Sequence, residues 1–278
     1  MGQNIFQTNA ELKDWLSKQS SSIIFIPTMG GLHRGHQHLI RKAKDTNTNQ
    51  IVLVSIFVNP LQFGKDEDFK KYPRNIKRDA ELAFISGADV IWAPDYFEVF
   101  PGGEDSHFKI QVPETLNNKL CGAKRKGHFD GVATVIIRLI KIIKPQKLIL
   151  GEKDWQQLII IRKLFQELSI PVKIETFATQ RDQNGFAYSS RNSYLSHSER
   201  SSAQSLPNAL KEAKSDFDRD KKINLKKLAA NLQKSNLKIE YIKIVDAFSL
   251  KERENINGIC LLAAAVECGS TRLIDHTF

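Results

Sequence analysis

The sequence predicts an α/β protein that is built on a doubly wound parallel sheet and carries a smaller C-terminal α+β domain. Short apolar runs rich in β-branched residues alternate with segments that carry apolar residues at helical spacing, and this alternation is typical of βαβ units. The chain has 278 residues and a hydrophobic content of 41%. That length is sufficient for one large domain and one smaller domain.

Strands and helices alternate along the predicted large domain, and the helices are expected to cover both faces of its sheet. The predicted strands are Ile23 to Ile26, Ile51 to Val58, Val90 to Trp92, Lys147 to Leu150 and Val172 to Phe177. The predicted helices are Gln37 to Lys44, Asp66 to Ser86, Val132 to Ile143 and Asp154 to Leu168.

A polar segment, Thr179 to Ser196, separates the two predicted domains. It is rich in small polar residues and contains the dipeptide Asn184-Gly185, which is typical of a loop. We therefore place the domain boundary between residues 180 and 181. The C-terminal domain is predicted from helices that begin near Ser198 and Leu225 and from strands around Ile239 to Val245, Gly258 to Val266 and Thr271 to Ile274.

Composition excludes several classes of protein. The three cysteines, Cys121, Cys260 and Cys268, form no CxxC pair, so neither a disulfide framework nor a structural zinc site is predicted. No apolar run approaches the ~20 residues of a membrane span, and the N-terminal stretch is polar, so we predict a cytoplasmic location and no membrane partner. The net charge of +10 fits anionic partners such as nucleotides without selecting among them.

The most informative motif follows the first predicted strand. Residues Pro27 to His36 read PTMGGLHRGH and lead into an amphipathic helix. Glycines allow close approach of an anion, and the N–H groups at a helix N-terminus are unpaired. His33 and His36 share a helix face and could donate hydrogen bonds to phosphoryl oxygens. A structural histidine pair is the alternative, and no acid or cysteine spacing supports metal ligation.

Polar side chains also follow two other predicted strands. Asn59 and Gln62 follow the second strand, where an ordinary Asn-Pro turn is the alternative. Lys153 and Asp154 follow the fourth, where Lys153 could neutralise phosphate charge and a plain helix start is the alternative. Ligands of open parallel sheets bind outside the carboxyl ends of the strands, so these side chains are expected near the glycine turn.

The long loop after the last strand of the large domain offers a further group of donors. Ser189, Ser190 and Arg191 provide two hydroxyls and a planar guanidinium, which suit the outer phosphates of a nucleotide. An ordinary serine-rich loop is the alternative interpretation of this segment.

In their order and spacing, these segments resemble pantothenate synthetase, and the likeness runs from about Ile23 to Asp275. It also includes the segment Arg125 to Val132 (RKGHFDGV), Tyr72-Pro73-Arg74 followed by Asp79, Gly87-Ala88-Asp89, and Gly269 to Asp275 (GSTRLID). The resemblance implies the nucleotidylyltransferase type of Rossmann-like fold. Residues 1–180 would bind nucleotide and pantoate, and residues 181–278 would cover the active site.

The resemblance also implies roles for individual residues. The catalytic residues would be His33, His36, Lys153 and Arg191. ATP would contact Met29, His33, His36, Gly151, Lys153, Asp154, Tyr188, Ser189, Ser190 and Arg191. Pantoate would contact Gln62, Gln157, Asn59 and Met29, with Asn59 and Lys153 also holding the reacting phosphate. Asp79 would be a magnesium ligand.

The reaction implied by the resemblance joins D-pantoate to β-alanine with ATP as co-substrate and Mg²⁺ as cofactor. Pantoate would attack the α-phosphorus of ATP, and β-alanine would then displace AMP from the bound pantoyl adenylate. Leu120 to Phe129 is predicted to close as a lid, because the adenylate must be kept from water. A homodimer is implied as the assembly.

Three positions depart from the family pattern, and two other function classes stay open. Gly31 replaces the usual alanine, Lys126 the usual proline and Tyr188 the usual methionine. Nucleotidyl transfer to a phosphate monoester uses the same HxGH turn, but the neutral amides of Gln62 and Gln157 favour a small hydroxy acid as acceptor. A nucleic-acid-binding protein would need a basic stripe interleaved with aromatics, which the sequence lacks, so nucleic acid is not a predicted partner.

Overall fold

Residues 4–46, 49–103, 106–220, 222–254 and 258–278 are described by a computed structural model of the chain. The chain divides into two units, of which the first comprises Met1–Asn117 and Arg125–Ala178 and the second comprises Asn118–Lys124 and Thr179–Phe278. The sequence predicts a single boundary after residue 180. The short segment 118–124 therefore differs from expectation, because it groups with the second unit.

A six-stranded parallel sheet forms the centre of the first unit. Its strands are β1 (Asn4–Phe6), β2 (Ile23–Thr28), β3 (Ile51–Ile56), β4 (Val90–Trp92), β5 (Lys147–Gly151) and β6 (Lys173–Phe177), in the spatial order β1-β4-β3-β2-β5-β6. The chain runs outward from β2 through β3 to β4 and then returns to β5 on the other side of β2. This reversal confirms the predicted doubly wound parallel sheet.

Helices and short turns connect the strands of this unit, as expected for an α/β protein. The helices are α1 (Asn9–Ser17), α2 (Arg34–Asp45), α3 (Ile76–Ile85), α4 (Tyr96–Val99), α5 (Glu114–Asn117), α6 (His128–Ile143) and α7 (Trp155–Glu167). Short 3₁₀ turns cover Pro60–Gln62, Asp68–Lys70 and Glu152–Asp154. None of the helices in the described ranges has the length and apolar character that crossing a membrane requires.

The prediction of one long helix from Asp66 to Ser86 is wrong. A 3₁₀ turn and helix α3 occupy that segment, and Pro73 lies between them. Proline has no backbone N–H and disfavours helical backbone in the residue before it, so a continuous helix cannot pass this point. Helix α3 instead begins at Ile76, and its N-cap is Asn75, whose side chain accepts the N–H of Arg78 at 3.0 Å.

The sequence assigned no element to the N-terminal stretch, yet the structure has β1 and α1 there. Strand β1 is only three residues long and pairs with β4 at the edge of the sheet. Helix α1 buries Leu12 alone, so its apolar pattern is faint. Its start is nevertheless marked by a capping box, in which Glu11 N–H donates to the Thr8 hydroxyl at 3.2 Å.

In the described residues of the second unit, helices pack with an antiparallel sheet, which agrees with the predicted small α+β domain. The elements are α8 (His197–Ala203), α9 (Ser205–Asp220), α10 (Leu225–Lys234), β7 (Lys238–Asp246), β8 (Cys260–Cys268) and β9 (Thr271–Thr277). Strand β8 lies between the other two. The segment 118–124 joins this unit partly through Cys121, whose buried Sγ lies 3.2 Å from the hydroxyl of Tyr241.

Helix α6 packs directly against the Pro60–Gln62 turn at Gly131. A Cβ atom at this position would overlap the carbonyl group of Leu61 and would lie 2.7 Å from the backbone nitrogen of Gln62. Only glycine therefore lets α6 pack directly against the Pro60–Gln62 turn. This contact fixes where the polar end of β3 sits relative to α6.

We expect Gly131→Ala to destabilise the protein, although alanine normally favours a helix interior by up to about 1 kcal/mol. The added methyl must push α6 away from the turn, and overpacking of this kind costs roughly 1–3 kcal/mol. Urea unfolding would measure the change. Gly64→Ala is the matched control, because its Cβ would meet no atom nearer than Glu67 Cγ at 3.6 Å. An unchanged unfolding free energy for Gly131→Ala would contradict the packing argument.

Candidate active site

Three loops with polar side chains leave the sheet at the same edge. They follow β3, β2 and β5, which are parallel neighbours in that order. Most of the predicted site residues lie in these loops and in the helix starts after them, and one, Gly151, is the last residue of β5. The residues in the loops and helix starts are Met29, His33, His36, Asn59, Gln62, Lys153, Asp154 and Gln157. The strand order reverses between β2 and β5, which is where ligands bind in doubly wound sheets.

The glycine turn after β2 is fixed by the buried carboxylate of Asp79. Gly31 N–H donates to Asp79 Oδ2 at 2.9 Å, and Leu32 N–H donates to Oδ1 at 2.7 Å. Gly30 and Gly31 have φ values of +81° and +59°, and a Cβ on Gly30 would lie 2.9 Å from Asp79 Oδ2. The turn therefore depends on glycine for its backbone and on Asp79 for its position.

Asp79 fits this turn-fixing role and does not fit a magnesium site. Only 2% of the residue is exposed, and both of its oxygens accept backbone N–H groups. Burial raises the pKa of Asp79, and the two amides only partly oppose that shift. Within the described ranges no cluster of three His, Cys, Asp or Glu side chains could hold a metal ion.

His33 and His36 stack against each other at the start of helix α2. Their ring centroids are 4.0 Å apart, and His33 is the N-cap residue, with its Nδ1 accepting the N–H of Gly35 at 3.1 Å. Burial lowers the pKa of His33 to about 2, helped by the charges of His36 and Lys153. Burial also lowers the pKa of His36 to about 4, although Asp154 opposes the shift. Both rings are therefore neutral near pH 7.

The buried Nδ1 of His36 has no hydrogen-bond partner among the described residues. Leaving a polar atom desolvated and unpaired costs roughly 1–3 kcal/mol, which a ligand group at this position would recover.

Lys153 brings a positive charge to the two histidines. It lies in the 3₁₀ turn after β5, and its Nζ is 3.5 Å from Asp154 Oδ1. The Lys153 side chain is 21% exposed and that of Asp154 is 52% exposed, so the pair is open to water on the side of Asp154. Gln157 follows in the first turn of α7 and is half-buried.

Asn59, Gln62 and Met29 form a chain of contacts beside the glycine turn. Asn59 Nδ2 donates to Gln62 Oε1 at 3.0 Å and to the carbonyl of Gly131 at 3.1 Å. Gln62 Nε2 donates to Met29 Sδ at 3.0 Å. The sequence predicts that Asn59 contacts substrate, but Asn59 is only 1% exposed and uses both amide protons inside the protein. The geometry favours a positioning role for Asn59, with the Gln62 amide turned by it.

A buried network that the sequence did not predict holds the backbone of Gln62. His128 Nδ1 lies 2.8 Å from the Gln62 carbonyl, and its Nε2 lies 2.9 Å from Arg125 Nη1. Since a carbonyl only accepts and a guanidinium only donates, the His128 ring is neutral with its proton on Nδ1. Burial, reinforced by Arg125, lowers the pKa of His128 to about 3.

Arg125 is held in turn by Glu67. Its Nε and Nη2 donate to the two carboxylate oxygens of Glu67 at 2.7 and 2.6 Å. Burial raises the pKa of Glu67, but the hydrogen bonds and charge of Arg125 outweigh it, so the net shift is downward. The RKGHFDGV motif indicated this segment, but one sequence cannot pair Arg125 with an acid 58 residues away. Arg125 and His128 both lie in the predicted lid, Leu120 to Phe129.

The remaining predicted site residues belong to the second unit. Ser189 caps the 3₁₀ turn Ser190–Tyr194, and its hydroxyl accepts the N–H of Arg191 at 3.3 Å. Tyr188 N–H donates to the carbonyl of Gln180 at 3.1 Å. The loop is tied to β9 by Arg181, whose two terminal nitrogens each donate to Asp275 at 2.7 Å.

Comparison with known proteins was made over the whole chain. The family model for pantoate-beta-alanine ligase matches residues 4–278. A bifunctional pantoate ligase/cytidylate kinase of Prochlorococcus marinus (strain NATL1A) is 80% identical over 280 residues, which cover 100% of this chain and 54% of that protein. One from Synechococcus sp. (strain CC9311) is 46% identical over 91% of this chain and 52% of its own length. The chain thus spans about half the length of these curated relatives.

Solved structures of the same family are also similar to this chain. Pantothenate synthetase from Thermus thermophilus has a TM-score of 0.90 and 34% identity, covering 99% of this chain and 98% of that one. Pantoate-beta-alanine ligase from Francisella tularensis, complexed with beta-gamma ATP and beta-alanine, has a TM-score of 0.85 and 32% identity, covering 99% and 97%.

Asp79→Asn tests whether Asp79 fixes the turn. The substitution replaces one acceptor oxygen with an N–H₂ group that faces a backbone donor, so we expect a loss of roughly 1–3 kcal/mol of unfolding free energy. The Mg²⁺ concentration that half-saturates ATP-dependent turnover should stay unchanged. Asp66→Asn, at an exposed acid, serves as the control. Unchanged stability with a shifted magnesium midpoint would support a metal ligand instead.

His128→Asn tests the neutral state of His128 through the pH dependence of stability. The unfolded chain binds a proton as the pH falls through about 6.5, whereas the folded chain does so only near pH 3. The wild type should therefore lose about 2 kcal/mol from this residue between pH 7 and pH 5. Asparagine keeps a donor near the Nδ1 position but cannot titrate, so that loss should disappear.

Denaturant unfolding gives the free energy of unfolding of each protein at pH 7 and at pH 5. The difference between the two pH values is compared, because any loss of stability that the substitution causes at both pH values then cancels. His197→Asn, at an exposed histidine, is the control. An equal pH dependence in wild type and His128→Asn would show that His128 is not held neutral.

Proposed function

Because the chain belongs to the pantoate-beta-alanine ligase family, we propose that it condenses D-pantoate with β-alanine, using ATP and releasing AMP and pyrophosphate. The proposed intermediate is an enzyme-bound pantoyl adenylate. The observation that carries the proposal is the convergence of donor-bearing side chains at the carboxyl ends of the adjacent strands β3, β2 and β5. Donors for phosphate and donors for a small acid lie side by side there.

The phosphate side of the proposed site is the start of α2. The positive end of the helix dipole, the neutral imidazoles of His33 and His36, and the charge of Lys153 all favour negative oxygens. In the first step a pantoate carboxylate oxygen bonds to the α-phosphorus of ATP and the bond to pyrophosphate breaks. Such a step needs little covalent help from protein, so positioning and charge stabilisation should supply most of the rate.

The pantoate side is the amide of Gln62. Asn59 donates to its oxygen, which leaves its N–H₂ group as the part that can meet a ligand. That group currently contacts the sulfur of Met29, which is a weak acceptor, and a carboxylate or hydroxyl oxygen is a better one. We propose that Gln62 and Gln157 bind pantoate, that Met29 lines its site, and that Asn59 positions Gln62.

In the second step the amine of β-alanine bonds to the acyl carbon of the adenylate. The bond from that carbon to the phosphate oxygen breaks, AMP leaves, and the amine gives up a proton. An acyl adenylate is readily hydrolysed, so water must be kept out during its lifetime. We propose that the segment Leu120 to Phe129 contributes to that exclusion.

We propose roles for residues of the second unit from the family resemblance alone. Ser189, Ser190 and Arg191 would bind the outer phosphates, and Arg191 would stabilise the leaving pyrophosphate. Tyr188 would lie on the nucleotide, with Gly151 and Asp154 on its adenosine side. The cytoplasmic location and the homodimer belong to the proposal as well, and they rest on the sequence and the family resemblance.

Product analysis tests the proposal directly. Purified protein is incubated with ATP and Mg²⁺, with and without D-pantoate and β-alanine, and the products are identified by mass spectrometry. We expect pyrophosphate only when pantoate is present, and AMP and pantothenate only when both acids are present. Absence of turnover, or a dinucleotide product from a phosphate monoester, would reject the proposed reaction.

His36→Ala should lower pyrophosphate release by ~10² or more, as the loss of a transition-state donor commonly does, while leaving the fold intact. His38→Ala, which removes another half-buried imidazole from the same helix, is the matched control and should retain most of the activity. Circular dichroism and Tm would establish that both variants fold. Near-normal pyrophosphate release by His36→Ala would refute the assigned role.

A further inference from the structure

A short hairpin in the second unit leads directly into residues 189–191, the segment proposed to bind the outer phosphates. Tyr188 N–H donates to the Gln180 carbonyl at 3.1 Å, and Arg181 and Ala187 form an antiparallel bridge. The first residue of the phosphate segment follows this hairpin without an intervening link. The place of the hairpin therefore determines where the phosphate segment begins.

The phosphate segment is also held to the hairpin from its far side. Asn192 Nδ2 donates to the carbonyl of Ala187 at 2.9 Å. Residues 190–194 form a 3₁₀ turn, and strand β9 lies beside that turn. A displacement of the hairpin relative to β9 would consequently be passed on to residues 189–191.

One guanidinium fastens the hairpin to β9. Arg181 Nη1 donates to Asp275 Oδ2 at 2.7 Å and to the carbonyl of Gly185 at 3.0 Å. Its Nη2 donates to Asp275 Oδ1 at 2.7 Å and to the carbonyl of His276 at 3.2 Å. Gly185 lies in the hairpin, whereas Asp275 and His276 lie in β9, so Arg181 bonds to both elements at once.

The carboxylate of Asp275 is buried, with only 4% of the residue exposed. It accepts the two Arg181 nitrogens and also the N–H of His276 at 2.8 Å. Removing a charged pair from water offsets most of its attraction, so such a pair adds little net stability. Its particular contribution is geometric, because two parallel hydrogen bonds between a planar guanidinium and a carboxylate fix both distance and direction.

We propose that the ion pair between Arg181 and Asp275 positions residues 189–191 for the outer phosphates of ATP before the nucleotide binds. Arg181 and Asp275 are then positioning residues, which act through the phosphate segment. The identity of the ligand rests on the proposed function.

Positioning of this kind has a selective effect on nucleotide binding. A segment that is ordered in advance binds its ligand without first losing conformational freedom. AMP has no outer phosphates, so its affinity should not depend on where residues 189–191 lie. Loss of the ion pair should therefore weaken the binding of ATP and leave the binding of AMP unchanged.

The first test measures ATP and AMP binding to the full chain by isothermal titration calorimetry, with Mg²⁺ and without pantoate. Arg181→Lys keeps the positive charge beside Asp275 but cannot reproduce the planar contact through two nitrogens. We expect Arg181→Lys to bind ATP ~10-fold or more weakly and AMP as tightly as the wild type does. Asp275→Asn should show the same selective loss, and it decides the test if Arg181→Lys does not fold.

The matched control is the same substitution at Arg253. This guanidinium donates to Asp246 at 3.2 Å at the end of β7 and is half exposed, so Arg253→Lys should bind both nucleotides as the wild type does. An equal loss of ATP and AMP affinity in Arg181→Lys would show a merely structural role. That result, or unchanged affinity for both nucleotides, would overturn the inference.

The second test separates the two steps of the proposed reaction. Pyrophosphate release from ATP and pantoate needs the outer phosphates, whereas the reaction of synthetic pantoyl adenylate with β-alanine does not. We expect Arg181→Lys to lower kcat/KM for ATP by ~10-fold or more, with the KM for pantoate and the rate of the second step unchanged. Equal losses in both steps would contradict a positioning role.

The outcomes distinguish this inference from the proposed function. If Arg181→Lys loses ATP affinity selectively but the wild type forms no pantothenate, the proposed reaction fails alone. If the wild type forms pantothenate but the affinities of Arg181→Lys for ATP and AMP change together or not at all, this inference fails alone.

Discussion

The candidate site depends first on two hydrogen bonds, from the amides of Gly31 and Leu32 to the buried carboxylate of Asp79. They fix the turn that leaves β2, and helix α2 begins directly after it, with His33 as its N-cap. A shift of this turn would move both histidines together, since they lie on the first turn of the same helix. Asp79 thus connects α3, which bears no predicted substrate contact, to the proposed phosphate side of the site.

A second network of hydrogen bonds fixes Gln62, on the proposed pantoate side of the site. The groups at its centre are neutral, and its charged groups lie at its edge. Arg125 and Glu67 pair at the partly exposed end, while His128 and Asn59 are buried and uncharged where they meet Gln62. Charges that remain buried need partners to offset their desolvation, whereas neutral donors and acceptors need only each other. Gln62 is consequently held at two points, because His128 contacts its backbone carbonyl and Asn59 contacts its side-chain amide.

Prediction from sequence succeeded where the signal is local. The apolar runs around Ile24, Leu53 and Leu148 gave the central strands, and the polar residues that follow them gave most of the candidate site, because parallel strands end at one edge of a sheet. It failed where the cause lies far along the chain. Nothing near Gly131 in the sequence indicates that Leu61 will press against it, and nothing near Gly31 indicates Asp79. The break at Pro73 is a local effect that the sequence does contain, because a proline inside a helical pattern ends or kinks the helix.

The segment 118–124 limits how chimeras of related chains can be built from the two units. It lies within the N-terminal half of the sequence, yet Cys121 contacts Tyr241 in the C-terminal sheet. The chain therefore passes between units three times, after Asn117, Lys124 and Ala178. A chimera joined once near residue 178 would pair a 118–124 segment from one parent with a β7 strand from another. Recombination that preserves both units must carry that short segment together with the C-terminal one, so they should be inherited as a single block.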